Sequence, residues 1–210
     1  MKYLLPQSRR STRAFTLIEL LIVIAIIAVL AGLIFSAMPG IKAKQATSVA
    51  KSELTQITTA IEAYKARYGS YPPDSPTNVF PANPLYFELT GAIIITNGGA
   101  RYFKPLDGNR ELKAQDVLDD LEIEGLINAA PTAQSTDDRP AIESFLKQVK
   151  PAQITTNSTP HGVYVLTCSV DDTAVWRYNS SNPTNNPGAY DLWVDLVFGG
   201  KTNRISNWSR

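Results

Sequence analysis

The chain contains few side chains that could catalyse a reaction or bind a metal. Its 210 residues include one histidine, His161, and one cysteine, Cys168. No HExxH, GxSxG or Walker-type motif occurs, and the glycine pairs at 98–99 and 199–200 indicate turns, because neither precedes a helix start. His161 has no identifiable nucleophile or orienting acid with it. We therefore predict a surface or turn histidine and no enzymatic activity.

The lone cysteine and a run of acidic residues are of types that bind metals, but their spacing is not that of a metal site. Cys168 has no second cysteine to pair with, so we expect a small buried residue on a strand rather than a reactive or metal-binding thiol. A run of acidic residues favours a solvated helix face over a cation site. Its members are Asp116, Asp119, Asp120, Glu122 and Glu124.

Glu19 is the one charged residue of a long apolar segment. Residues 15–38 hold this acid and no base, whereas residues 1–14 hold four bases and no acid. As a helix, the segment would be roughly 36 Å long, enough to cross the ~30 Å hydrocarbon core of a membrane. A carboxylate at mid-membrane costs about 2.5 to 3.5 kcal/mol. Glu19 therefore needs a partner, and the segment offers no cation.

The basic residues before this segment place the N-terminus in the cytoplasm and the rest of the chain outside. Two simpler interpretations stay open. An ordinary secretory signal would be cleaved near Ala31 and leave Gly32 as the first residue, although the apolar run is too long for one. A plain membrane anchor explains every feature except Glu19.

The sequence RAFTLIELLIVIA, residues 13–25, resembles the class III signal of type IV prepilins and type II secretion pseudopilins. The resemblance implies that a membrane-embedded aspartyl peptidase removes residues 1–14, cutting between Ala14 and Phe15, and that Phe15 becomes N-methylated. Ala14 stands where the family usually has glycine. The new amine supplies the missing cation for Glu19, within the chain or from a neighbour. In the family, Glu19 would pair with the Phe15 amine of a neighbouring subunit.

The resemblance also implies partners and a location. The partners are further copies in a helical filament, other pseudopilins or pilins, the prepilin peptidase, an inner-membrane assembly platform and membrane lipid. The chain would cross the inner membrane once, with a periplasmic head, before it enters the filament. No cofactor is expected, and the formal net charge of +1 gives no reason to expect nucleic acid.

The resemblance and the sequence patterns predict an α+β, pilin-like fold. Residues 15–38 form the membrane and assembly helix, and residues 39–68 form its amphipathic continuation. One face carries an apolar stripe, and the other carries charge. Gly69 ends the helix. Gly32 and Pro39 indicate either a flexible stretch or a membrane helix that ends at Met38. The stripe consists of Ala50, Leu54, Ile57, Ile61, Tyr64 and Tyr68, and the charged face of Lys51, Glu53, Glu62, Lys65 and Arg67.

Residues 69–210 are predicted to form a globular head. Short helices are expected from Asn83-Pro84 to Gly91, over 114–128 and from Pro140 to about Val149, with loops at 135–138 and 155–160. Residues 162–170, 173–179 and 189–198 alternate as strands, so we expect an antiparallel C-terminal sheet that packs on the long helix. Its aromatic residues should divide between core and surface. They are Trp176, Tyr178, Trp193 and Phe198.

Residues 60–74 and the C-terminal ending 190–208 resemble the major pseudopilins. Those proteins bind Ca²⁺ in a C-terminal loop, which makes Asp191 and Asp195 the candidate ligands here. Both lie within a predicted strand, and Ca²⁺ needs about six to eight oxygen ligands, so no metal is predicted. The favoured function is a structural subunit of a type II secretion pseudopilus. The alternatives are a type IV pilus subunit for adhesion, motility or DNA uptake, and a membrane-tethered periplasmic binding module.

Overall fold

A computed structural model describes residues 15–76, 82–131 and 141–208, with side chains throughout these ranges except at residues 34–40. Two units divide the chain, residues 1–43 and residues 44–210. The predicted leader 1–14 and the predicted loop 135–138 lie outside the described residues. The fold class is α+β, with an N-terminal helix followed by antiparallel sheets, as expected for a pilin-like chain.

The first unit contains the start of helix α1, Leu17–Tyr68. The helix continues past Met38, so the alternative in which it ends there is wrong. Flexibility at Gly32 and Pro39 stays a prediction, and the Pro39 side chain lies outside the described residues. Among the residues that the structure describes, no helix is both long and apolar enough to be a candidate membrane span.

The second unit contains the rest of α1, two short α-helices, a 3-10 turn at Pro151–Gln153 and ten strands within the described ranges. The helices are α2, Leu85–Thr90, and α3, Ala114–Leu121. The strands are β1 Ala92–Asn97, β2 Ala100–Pro105, β3 Leu112–Lys113, β4 Ala129–Ala130, β5 Ile154–Thr155, β6 Val165–Cys168, β7 Asp171–Val175, β8 Arg177–Asn179, β9 Asp191–Phe198 and β10 Lys201–Ser206.

The apolar stripe of α1 packs into the core of the second unit, as its spacing predicts. Ile57, Ile61 and Tyr64 are buried in one cluster with residues of α2 and the C-terminal strands. The charged face is predicted correctly except at Glu53, which is buried. Its carboxylate accepts hydrogen bonds from the backbone N–H of Ser169 at 3.3 and 3.2 Å, so Glu53 joins the helix to the turn between β6 and β7.

The strands form three small sheets instead of one. Their orders are β3-β2-β1-β4, β10-β9-β8 and β5-β6-β7. The C-terminal strands are antiparallel as predicted, and Trp176 and Tyr178 are buried while Trp193 and Phe198 are half-buried. Residues 201–206, predicted as loop, form β10. The Gly199-Gly200 turn, with φ of 56° and 76°, is of the kind that closes two-residue hairpins.

Two of the three predicted short helices differ from the structure. The helix expected over 114–128 ends at Leu121, because Glu122 adopts the left-handed conformation (φ 53°, ψ 44°) that caps helices. Residues 141–149 form no helix, and Pro140 lies outside the described residues. The N–H groups of Phe145 and Leu146 instead donate to the carbonyl of Leu89 at 2.8 and 3.0 Å, so they cannot support a helix turn.

Candidate processing and assembly site

The N-terminal end of α1 is closed by reciprocal hydrogen bonds between Thr16 and Glu19. Thr16 immediately precedes the first helical residue. Its backbone N–H and its hydroxyl donate to Glu19 Oε2 at 2.9 and 2.8 Å, and the N–H of Glu19 donates to Thr16 Oγ1 at 3.3 Å. This is a capping box, which satisfies N–H groups that have no partner within the helix.

The capping box corrects the expectation that Glu19 has no partner in its own segment. The signal was present in the sequence as Thr-x-x-Glu at residues 16–19. Within the described part of the chain, Glu19 Oε1 accepts no hydrogen bond. One carboxylate oxygen therefore holds the helix start, and the other remains available to a cation.

The apolar side chains beside Glu19 have little cover among the described residues of the first unit. Phe15 is 78% exposed and Leu17 is 81% exposed. The same exposure continues along this part of α1 to Leu33, at 64%. An apolar surface of this extent is not stable in water and is typical of a membrane or protein contact.

The predicted processing residues fall on both sides of the described boundary. Ala14 lies outside the described residues. Phe15 is described and precedes the capping box, so cleavage before Phe15 would place the new amine next to Thr16. Gly32 is exposed within α1, and a Cβ added there would meet no atom within 4 Å. Cleavage, N-methylation and intersubunit pairing stay predictions.

Comparison with known proteins identifies the class of the N-terminal segment. Residues 9–35 match the family described as the prokaryotic N-terminal methylation motif. This is the prepilin-type signal of type IV pilins and pseudopilins, and that family is structural rather than catalytic. The motif indicates a type IV pilin-like or pseudopilin subunit. No curated protein and no solved structure matches the chain.

The two calcium candidates are both engaged by groups of the protein. Asp191 is buried, and its carboxylate accepts the backbone N–H groups of Thr184, Asn185 and Asn186 at 2.8 to 3.2 Å. Burial raises the pKa of Asp191, but these hydrogen bonds together outweigh burial and hold that pKa below its ordinary value. Asp195 accepts two hydrogen bonds of 2.7 Å from the guanidinium of Arg204. Both carboxylates therefore have a structural role.

His161 has an orienting acid that the sequence did not reveal. It lies on a turn, as predicted. Its Nδ1 is 2.6 Å from Asp120 Oδ1, and its backbone N–H donates to Asp120 Oδ2 at 2.9 Å. The bond to Asp120 and the negative charge there raise the pKa of His161. Asp120 is buried, so the acidic run is not wholly a solvated face, and 41 residues separate the pair in sequence.

Glu88 is a completely buried carboxylate that sequence reasoning missed. It accepts the Tyr64 hydroxyl at 2.9 Å and the backbone N–H groups of Ile127 and Asn128 at 2.7 and 2.9 Å. Asn128 Oδ1 also accepts the hydroxyl of Tyr68 at 2.8 Å. Burial raises the pKa of Glu88, and these hydrogen bonds oppose the rise. The network joins α1 to α2 and β4.

Cys168 is a buried residue of β6, as predicted. Burial raises the pKa of its thiol to about 12. A thiol with this pKa is protonated at neutral pH and is a poor nucleophile and metal ligand.

Proposed function

We propose that the chain is a structural subunit of a type II secretion pseudopilus that supports protein export. The prepilin peptidase removes residues 1–14, Phe15 becomes N-methylated, and the chain polymerises through its N-terminal helix. Before assembly the helix anchors the chain in the inner membrane, with the N-terminus cytoplasmic and the head periplasmic. The proposal rests on one observation: the segment that matches the methylation motif forms a helix whose apolar side chains are exposed.

The Thr16–Glu19 geometry supports a specific assembly contact. In the proposal, the free oxygen of Glu19 accepts a hydrogen bond from the methylated amine of Phe15 in a neighbouring subunit. Thr16 keeps the other oxygen fixed, so the carboxylate is oriented before the neighbour arrives. An oriented acceptor loses less conformational freedom when it binds. The assembly platform and other pseudopilins are the remaining partners, and no cofactor takes part.

Residues 60–74 and the C-terminal ending favour a pseudopilus over an adhesive or motility pilus. These segments meet in the head: the Tyr71 and Tyr190 rings contact each other at 4.9 Å, and the Tyr178 hydroxyl donates to the Pro72 carbonyl at 2.9 Å. A single cysteine also excludes the intrachain disulfide that closes the C-terminal loop of many pilins. A type IV pilin for adhesion, motility or DNA uptake is the second candidate.

Two substitutions separate the charge of Glu19 from its capping role. Glu19→Gln removes the charge but keeps an oxygen that can cap the helix, whereas Thr16→Ala keeps the charge and removes the cap. We expect Glu19→Gln to be processed normally and to be excluded from filaments when it competes with the wild-type chain. Removing one partner of a desolvated ion pair costs about 3 to 5 kcal/mol.

Thr16→Ala is the matched control. Loss of an N-cap costs about 1 kcal/mol, so this variant should still be incorporated at a reduced level. Incorporation is measured by quantifying each chain in sheared filaments. If Glu19→Gln enters filaments as efficiently as the wild-type chain, the intersubunit ion pair is wrong. A membrane-tethered binding module would show no filament with any of the three chains.

A further inference from the structure

Strand β10 is an unusually long edge for this head. It lies at the end of the sheet order β10-β9-β8 and has six residues, whereas the other edge strands have two to five. An unpaired edge presents a row of backbone N–H and C=O groups to which another chain can bind. Short edge strands avoid this exposure, and β10 does not.

The register of the hairpin shows which groups of β10 point outward. The two-residue turn closes on the pair Phe198 and Lys201, and such a closing pair is hydrogen-bonded. Every second residue after Lys201 then bonds to β9. Asn207 lies six residues after Lys201, and its N–H donates to the carbonyl of Leu192 at 3.0 Å. This bond is the one that the alternation predicts.

The backbone groups of the intervening residues, Thr202, Arg204 and Ser206, therefore point away from β9. Within the described ranges, their N–H and C=O groups make no backbone hydrogen bond outside the hairpin. Three donors and three acceptors are thus available along one side of β10. They have the spacing that an added strand requires.

A groove of about 870 Å³ lies along this edge. One wall is formed by Lys51, Leu54 and Thr55 of α1, and the other by β10 and Trp208. A segment bound in this groove would therefore contact side chains of α1 as well as the edge of β10.

The charges around the groove favour an acidic segment. Arg204 is held over the sheet face by two hydrogen bonds of 2.7 Å to Asp195, with its guanidinium 5.8 Å from the Trp193 ring centroid. The charge of Arg204 is therefore neutralised by Asp195, and its side chain lies away from the outer edge of β10. Lys51 is exposed, and no ion pair involves it among the described residues.

We propose that the outer edge of β10 binds one extended segment of a partner protein, which adds as a fourth strand and directs an acidic side chain toward Lys51. Backbone hydrogen bonds from Thr202, Arg204 and Ser206 provide the affinity. Lys51 provides selectivity for the acidic side chain. The proposal concerns the head alone and stands independently of the filament role.

The test measures binding of a fluorescent peptide, acetyl-Val-Thr-Glu-Thr-Val-Thr-amide, to the full-length chain in detergent by anisotropy. Thr202→Pro removes an outward N–H without touching the β9 pairing, and we expect it to weaken binding about tenfold or more. Thr202→Ala keeps that N–H and should change affinity less than about twofold. Hydrogen exchange at Thr202, Arg204 and Ser206 should slow when the peptide is added.

Two further comparisons do not depend on the folding of the proline variant. The same peptide N-methylated at alternate residues should fail to bind the wild-type chain. Lys51→Glu should weaken binding about threefold or more, whereas Lys44→Glu, an exposed lysine of α1 outside the groove, should change it less than about twofold. Equal binding of the methylated peptide would overturn the proposal. Dimerisation without peptide, abolished by Thr202→Pro, would also overturn it and assign the edge to a second copy.

Discussion

Glu88 shows how one carboxylate can organise a head of this size. Its side chain is fully buried and accepts three hydrogen bonds, two of them from the backbone before β4. Buried ionisable groups of this kind persist when every oxygen has donors. Glu88 therefore fixes where the segment after α3 meets α1 and α2.

Replacing Glu88 by alanine should strongly destabilise the head. Glu88→Ala leaves the Tyr64 hydroxyl and the Asn128 N–H buried without an acceptor and also removes the acceptor of the partly buried Ile127 N–H, which costs about 3 kcal/mol or more. Glu124→Ala, at an exposed position with no hydrogen bond or ion pair among the described residues, should change the free energy of unfolding by less than about 0.5 kcal/mol. Chemical denaturation followed by tryptophan fluorescence measures both. Equal stability of the two variants would contradict the role of Glu88.

Glu88 should also make stability depend on pH. Burial raises its pKa in the folded chain above the ordinary 4.5, so between these two pKa values the folded chain binds a proton that the unfolded chain has released. The free energy of unfolding therefore falls as pH rises through this window. Glu88→Gln cannot titrate, and its stability should fall less over the same range. A parallel pH dependence in both chains would contradict this assignment.

At the scale of single residues, the sequence predicted roles that depend on neighbouring residues in the chain. It did not predict contacts between residues that only the fold brings together. Cys168 was predicted correctly because a lone cysteine in a β-branched run has few other roles. The pairs His161–Asp120 and Glu88–Tyr64 were missed because 41 and 24 residues separate their members. Thr16–Glu19 was local and could have been found from its spacing.

At the scale of elements, α2 is joined to β1 through a glycine whose backbone conformation other residues rarely adopt. Gly91 has φ 74° and ψ 152°, a region that is essentially restricted to glycine. A Cβ there would lie 2.7 Å from Ile142 Cγ2 and 3.1 Å from the carbonyl oxygen of Glu143. The segment that was expected to be helical after Pro140 therefore packs directly against this glycine.

Two glycine substitutions compare the crowded position of Gly91 with an open one. Gly108 also has a positive φ, of 88°, but a Cβ there meets no atom within 4 Å. Gly108→Ala should cost about 1 to 2 kcal/mol, from the positive φ alone. Gly91→Ala should cost about 1 to 3 kcal/mol more, because its backbone lies in a region essentially restricted to glycine and because neighbouring atoms must move. Thermal unfolding of both variants checks the difference, and equal costs would contradict the close packing of residues 141–149.

Elements with a strong period were predicted better than those fixed by long-range pairing. The stripe of α1 repeats over five turns and was recognised. The strands predicted over 162–170 and 189–198 contain β6 and β9, but the strand predicted over 173–179 is divided at Trp176 into β7 and β8, which belong to different sheets. The hairpin of β1 and β2 was not predicted, and β10 was predicted as a loop because Lys201, Asn203 and Arg204 are polar and exposed. Its strand conformation comes from pairing with β9, which a local pattern does not contain.

At the scale of the whole molecule, the two units have opposite surface chemistry. Residues of the second unit bury a mixed core of helix and strand side chains, whereas the apolar side chains described between Phe15 and Leu33 have little cover. The second unit has the features of a water-exposed head. The first requires lipid or other subunits to remove its apolar surface from water. A precursor that is processed and then polymerises satisfies both requirements.

The most direct test of this account is the N-terminus of the chain isolated from its native cell. Intact-mass measurement and N-terminal sequencing should give a chain that begins at Phe15 and carries one methyl group on its amine. A chain that begins at Met1 would contradict processing, and one that begins at Gly32 would indicate release by an ordinary signal peptidase. The first result would leave Glu19 without the proposed amine partner, and the second would remove Glu19 from the mature chain.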